Sequence, residues 1–230
     1  MPGYRTKQER ISIAGVDDLV IRSLLDRQQY ADDDGAAERI GISSAAWPLF
    51  GLLWPSGALL AARLAARPVT AGERILEIGC GLALASLVGH RRGADVTASD
   101  RHPLTALFLA ENLRLNGLTP MKYLHGDWEA PPEADAGDDA AGRFDLIVGS
   151  DLLYERDAGG ALAGFVSRHA KASCEVWIVD PDRSNRPAFN RRMADDGFVR
   201  HEERLDTAAG ATAAAYKGRL LVYHRKLAAH

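Results

Sequence analysis

The five residues Glu77-Ile78-Gly79-Cys80-Gly81, directly after Arg74-Ile75-Leu76, constrain the fold more than any other part of the chain. They read as a buried parallel strand that ends in a tight glycine turn and then opens a helix. Such a turn is expected to present backbone N–H groups and a helix N-terminus to a ligand carrying negative charge. The dinucleotide-binding pattern requires a third glycine where this chain has Leu84. The acid-led Gly-x-Gly turn therefore points to another ligand, and the residues at the later strand ends decide which.

Strand and helix signals alternate from this point. Arg74–Ile78 reads as a strand, Ala83–Arg92 as a helix stopped by Gly93, and Asp95–Ser99 as a strand ending in Asp100. Pro103–Asn116 is a helix with proline near its first position and Gly117 as its stop. Strands follow at Met121–His125, Phe144–Gly149 and Glu175–Val179, with helices at Ala161–Lys171 and Arg186–Asp195. Phe198–Leu205 and Tyr216–Arg225 read as a closing hairpin joined by the small-residue tract Thr207–Ala215. The alternation predicts an α/β fold, a mostly parallel sheet covered on both faces, with a C-terminal antiparallel addition. Upstream, short strands are expected at Arg10–Ile13 and near Leu19–Leu25, a polar turn at Asp32-Asp33-Asp34-Gly35, and a helix over Ser56–Ala66 capped by Ser56. Glu129–Gly142, rich in Ala, Pro, Gly and Asp, reads as a mobile surface loop.

Composition removes several classes of function. A length of 230 residues suits one α/β domain, and a net charge of -3 leaves no broad nucleic-acid footprint. Two cysteines far apart, Cys80 and Cys174, make no disulfide framework and suit a reducing cytoplasm. No histidine sits at metal-ligand spacing from another His or a Cys, so no metal is expected. No basic-then-apolar leader opens the chain, so secretion is not expected. Ala45 to Ala62 carries no charge, but Pro48, Gly51, Pro55 and Gly57 interrupt it. It reads as a loop and helix start buried against the core, not a membrane span.

In an open parallel sheet, ligands bind beyond the carboxyl ends of the strands. Those ends carry Glu77 with Gly79 and Gly81, then Asp100, Asp127-Trp128 and Ser150-Asp151. Each end is polar. Asp100 suits a carboxylate accepting both ribose hydroxyls, although a helix cap ahead of Pro103 is the plainer alternative. Asp127 suits an adenine amino group with Trp128 packing on the base; otherwise Trp128 is a core anchor. Cys80 has no paired histidine and is not read as a nucleophile.

With these motifs the chain resembles the seven-β-strand S-adenosylmethionine methyltransferases. It resembles most the protein lysine methyltransferase branch, marked by an Asp-x-x-Tyr signature that here reads Asp151-Leu152-Leu153-Tyr154. Leu53-Trp54-Pro55 also resembles that branch, whose members have a cofactor-contacting tryptophan there. The resemblance implies a Rossmann-like, doubly wound, seven-stranded sheet over residues 46–230, with 1–45 as an N-terminal extension packing on the core. It implies S-adenosyl-L-methionine as cofactor, held by Glu77 and along its methionine end by Gly79, Cys80 and Gly81. Asp100 would meet the ribose, Asp127 and Trp128 the adenine, while Trp54 and Ser150 line the pocket. Asp151 and Tyr154 would face the transferred methyl group, their plainer readings being a helix cap and an edge packing residue. Glu155 reads as a solvated surface residue.

A lysine nucleophile must lose its proton first, since its unperturbed pKa is about 10.4 and the ammonium has no free electron pair. Asp151 is expected to hold the incoming amine by hydrogen bond and help its proton leave to water, with Tyr154 as a wall that orients the nitrogen. A small-molecule methyltransferase would share this pocket, because substrate choice lives in loops. A non-catalytic cofactor-binding module would show an eroded glycine turn or lost strand-end acids, and the chain shows neither. A nucleic-acid methyltransferase ranks lower: Arg91-Arg92 and Arg191-Arg192 are isolated pairs, and Ser150-Asp151-Leu152-Leu153 stands where amino-methylating DNA enzymes have Asn-Pro-Pro-Tyr. The expected partner is a protein substrate; oligomeric state is left open.

Overall fold

The N-terminal segment forms its own antiparallel pair, β1 (Thr6–Ile11) and β2 (Leu19–Leu24), with Thr6 opposite Leu24 and Ile11 opposite Leu19. The first strand thus starts earlier than Arg10–Ile13. Its polar residues Lys7 and Glu9 hide the strand from an apolar count, and only pairing with β2 sets its bounds. The computed structural model describes residues 3–129, 142–154, 159–208 and 215–226. Most of the expected loop at Glu129–Gly142, most of the Thr207–Ala215 tract, and Glu155 lie outside the described residues.

A short helix α1 (Ala36–Arg39) follows, with Asp32 accepting the N–H groups of Ala37 and Glu38 at 2.9 Å each. The uncharged stretch becomes a 3₁₀ turn (Trp47–Gly51) and then α2 (Pro55–Ala66). Among the described residues no helix is long and apolar enough to cross a membrane. Pro55 occupies the first turn of α2, as suits a residue without an N–H. Ser56 does not cap that helix: it is buried one position inside, and its hydroxyl shares a 2.9 Å hydrogen bond with Tyr216.

The main sheet contains β3 (Arg74–Ile78), β4 (Asp95–Asp100), β5 (Lys122–His125), β6 (Phe144–Ser150), β7 (Ala170–Asp180), β8 (Val199–Arg204) and β9 (Arg219–Arg225). Their spatial order is β5-β4-β3-β6-β7-β9-β8. The first four neighbour pairs are parallel; β9 pairs antiparallel with both β7 and β8. This is the doubly wound seven-stranded sheet with a closing hairpin. The last strand inserts beside β7 and leaves β8 at the edge.

The intervening helices are α3 (Leu84–Arg91), α4 (Thr105–Leu115), α5 (Ala161–His169) and α6 (Arg186–Asp195). Several boundaries differ from expectation, among them the start of β9 at Arg219, with Tyr216 left in an isolated bridge to Thr207. Pro103 lies in a turn ahead of α4, and Ala170 and Lys171 join β7 because Phe144 pairs with Ala170 across a bulge in the ladder. Side chains alternate between faces along each strand. Ile75, Leu146 and Val148 therefore enter one core with α2, α3, α4 and β2, while Leu76, Ile78 and Ile147 enter the other with α5 and α6.

Candidate active site

Chain order runs outward from the adjacent strands β3 and β6 in opposite directions, so the connections leave in opposite senses and open a crevice at their carboxyl ends. Parallel register sets Ile78 opposite both Ser99 and Gly149, so Gly79 follows between the ends of β4 and β6. A cleft of about 1210 Å³ lies there. All eleven residues singled out in the sequence line it: Trp54, Glu77, Gly79, Cys80, Gly81, Asp100, Asp127, Trp128, Ser150, Asp151 and Tyr154.

The glycine turn differs from expectation in one respect. Its backbone donors are turned inward: Cys80 N–H bonds to Ser99 O at 2.9 Å, Gly81 N–H to Asp100 Oδ2 at 2.9 Å, and Ala83 N–H to Cys80 O at 2.7 Å. One donor of the first turn of α3 is answered as well, since Glu77 Oε2 accepts the Ser86 N–H at 2.7 Å. A carboxylate at a helix N-terminus satisfies an orphan donor and complements the helix dipole. These four donors, of Cys80, Gly81, Ala83 and Ser86, are therefore spent within the protein. The glycines themselves serve close packing. Gly79 has φ 56°, and a Cβ there would come within 2.5 Å of Leu152; one at Gly81, φ 49°, would meet Phe50 O at 2.9 Å.

What the turn leaves facing the ligand is a set of acceptors. Asp100 Oδ1 takes the His102 N–H at 2.8 Å in the turn ahead of α4; it does not cap that helix, whose N-cap is Leu104, and lone pairs remain on both oxygens. Burial raises its pKa against those two backbone bonds. Burial likewise pushes Glu77 up to about 7, with Asp100 adding repulsion. Cys80 is raised well above a normal thiol by burial and by the two carboxylates, which fits an inert side chain. Asp127 Oδ1 accepts the Glu129 N–H at 3.0 Å, and Trp128 packs partly against the α5–α6 core. Trp54 is steadied by its Nε1–H bond to Leu49 O at 3.0 Å, with the Arg27 guanidinium 5.1 Å above the ring. Glu77, Asp100 and Asp127 suit a ligand rich in hydrogen-bond donors, in a cleft whose lining also carries Arg27, Arg101, Arg168, Arg183 and Arg192.

On the opposite rim, Asp151 follows β6 in the left-handed region at φ 54°, its N–H bonded to Val179 O at 2.9 Å. No helix starts there, so the cap reading fails. Its carboxylate is forked by Arg183: Nε donates to Oδ1 at 2.8 Å and Nη2 to Oδ2 at 3.0 Å. Tyr154 stands 44% exposed and lines the cleft. Arg183 was not anticipated. It stands just past β7, one more carboxyl strand end lining the crevice, and that position was its sequence signal. His102 was missed too: it stacks on Phe50 with ring centroids 3.7 Å apart, and burial drives its pKa down to about 4. Among the described residues no cluster of His, Cys, Asp and Glu would hold a metal ion.

Residues 49–197 match the family model described as lysine methyltransferase, which is well over half of the chain. This chain belongs to that family. It is 28% identical over 150 residues to the electron transfer flavoprotein beta subunit lysine methyltransferase of Danio rerio, covering 64% of this chain and 55% of that protein. It is 26% identical over 155 residues to the calmodulin-lysine N-methyltransferase of Arabidopsis thaliana, covering 63% of this chain and 50% of that protein. The chain thus spans about half the length of these curated relatives. Among solved structures, the 16S rRNA N2 G1207 methyltransferase of T. Thermophilus, in complex with AdoMet and guanosine, shares the fold. Its TM-score is 0.62 at 20% identity, over 98% of this chain and 52% of that one. All eleven of the cleft residues anticipated from the sequence fall within the stretch that the family model covers.

Proposed function

We propose that this protein is an S-adenosylmethionine-dependent methyltransferase that N-methylates lysine side chains of a protein substrate. The observation that carries this reading is the convergence of the strand-end acids with Asp151 and Tyr154 on one cleft, inside a match to the lysine methyltransferase family. The cleft chemistry supports the cofactor: this nucleoside brings no phosphate but offers a ribose diol, two amino groups and a sulfonium charge to Glu77, Asp100 and Asp127. In this reading Gly79, Cys80 and Gly81 follow its amino-acid end, Asp100 the ribose, Asp127 and Trp128 the adenine, and Trp54 and Ser150 the walls. Bound there, the cofactor supplies an already activated methyl group, so the protein has chiefly to position a neutral nitrogen in line with it. Asp151 accepts a hydrogen bond from the substrate amine, and Tyr154 closes the mouth and orients the same nitrogen. Residues 1–45 serve as an extension of a methyltransferase domain spanning 46–230. Two free, buried thiols suit a reducing compartment such as the cytoplasm.

The test is incubation with methyl-labelled S-adenosylmethionine and an extract lacking the enzyme, with purified electron transfer flavoprotein beta subunit as the first defined substrate. Label on protein lysines, lost in an Asp151→Ala variant that keeps its cofactor affinity, is the expected result. Label confined to small metabolites, or full activity of the variant, overturns the reading.

A further inference from the structure

We infer that Arg183 sets the charge met by the incoming substrate nitrogen, acting through Asp151 as a positioning and specificity-determining residue. This role rests on the lysine-methylating reading of the cleft. The geometry is specific: a two-bond fork engages both carboxylate oxygens at 2.8 and 3.0 Å. The arrangement is held from behind. Arg183 N–H bonds to Asp180 Oδ2 at 3.0 Å, and Asn185 Nδ2 bonds to Leu153 O at 3.0 Å, tying the segment after β7 to the segment after β6. Asp180 is fully buried and also engages Arg186 at 3.3 Å. The Asp151 side chain is only 12% exposed, and both of its oxygens are engaged by Arg183.

An unpaired carboxylate at this position would attract the ammonium form of lysine and hold its proton, which is the form that cannot accept a methyl group. A guanidinium stays charged at every working pH, so the forked pair carries no net charge. The fork uses two of about four lone-pair sites on the carboxylate, and the others can still accept an N–H. The amine is then oriented by direction and not trapped by charge. Among the described residues, the charged and titratable groups acting on or beside the pair include Asp180, Asp182 and Tyr216, whose hydroxyl is engaged by Ser56. Arg168 and Arg192, from α5 and α6, line the same cleft. None of these changes when Arg183 alone is replaced, so a difference from the wild type reports Arg183.

The test compares wild type, Arg183→Gln and Arg183→Lys on the protein substrate found by labelling. With glutamine, the ascending limb of the kcat–pH profile should move to higher pH by about one unit. At neutral pH kcat should fall about tenfold, with KM unchanged or lower, because the ammonium form is now retained. Lysine restores the charge without the fork, so the limb should return towards its wild-type position while kcat recovers only in part. A second readout is equilibrium binding of a substrate peptide carrying trimethyllysine, a permanent cation, in the presence of S-adenosylhomocysteine. Arg183→Gln should bind it several-fold more tightly than the wild type does. A reduced rate with an unmoved limb and unchanged peptide affinity would assign Arg183 a purely structural role and overturn the inference while leaving the methyltransferase reading intact. Should Arg183→Gln fail to fold, a shifted limb in Arg183→Lys overturns the charge role and an unshifted one with lower kcat supports it. A wild-type protein that labels no lysine sinks both.

Discussion

Glu77 and His102, buried on the same side of the sheet, titrate in overlapping windows with opposite effect on stability. Burial raises Glu77 from 4.5 to about 7, and it lowers His102 from 6.5 to about 4. The unfolded chain releases the Glu77 proton near 4.5, whereas the native state keeps it to about 7; across that span stability falls as pH rises. For His102 the unfolded chain takes up a proton below 6.5 and the native state refuses it until about 4, so stability there rises with pH. Between 4.5 and 6.5 the two slopes oppose each other. Glu77→Gln keeps an acceptor for the Ser86 N–H and deletes one titration. Relative to wild type, this variant should gain about 3 kcal/mol between pH 4.5 and pH 7, read from urea midpoints. A difference that stays flat over that range would mean Glu77 is ionised in the native state throughout.

At the scale of elements, the β1–β2 pair is fastened by a helix acting as a strand. Asn112 on α4 and Asn116 at its C-cap stand one turn apart, and their side-chain amides face the free edge of β2. Asn116 accepts the Val20 N–H at 2.9 Å and donates to Val20 O at 2.8 Å; Asn112 accepts the Arg22 N–H at 2.8 Å and donates to Arg22 O at 3.4 Å. The spacing fits because four residues of helix rise about 6 Å while two residues of strand rise about 6.7 Å. Leu19, Ile21 and Leu24 are thereby held fully buried against α4 and the 3₁₀ turn, with Trp47 at their centre. Replacing Asn112, which is fully buried, by the similarly sized Leu leaves the Arg22 N–H without a partner. That should cost about 1–3 kcal/mol in a denaturant titration. Amide exchange at Val20 and Arg22 should accelerate before exchange at the main sheet. Unchanged exchange at β2 would refute this role for the amides.

For the whole molecule, a cleft that binds S-adenosylhomocysteine only in the folded state must couple occupancy to stability. A ligand at about 100 times its Kd adds about 2.7 kcal/mol. For a chain of this size that corresponds to a rise in Tm of about 5–10 °C, measurable by thermal melting. NAD at the same excess should leave Tm unmoved, because the turn's donors at Cys80, Gly81 and Ala83 are engaged internally and offer a diphosphate nothing. Stabilisation by NAD and not by S-adenosylhomocysteine would reverse the choice of cofactor.

The α/β alternation, the position of the cleft and the acids at its strand ends were legible in the residues themselves, whereas the arginines that line it were not. Apolar periodicity and the stops at Gly93, Gly117 and Gly197 are local signals, and the strand-end rule converts them into a site without coordinates. Beyond local reach, the residues were silent. Lys7 and Glu9 concealed β1, the docking of β2 on Asn112 and Asn116 spans some 90 residues of chain, and the fork between Asp151 and Arg183 spans 32. Such pairings depend on which strand ends become neighbours. The inward turn of the glycine-loop donors was equally invisible, because a sequence names each N–H but not the acceptor that reaches it first. Sequence alone determined the frame and the acids along its rim; tertiary structure decided which of those acids are capped, which are buried into unusual protonation, and which one is held by an arginine.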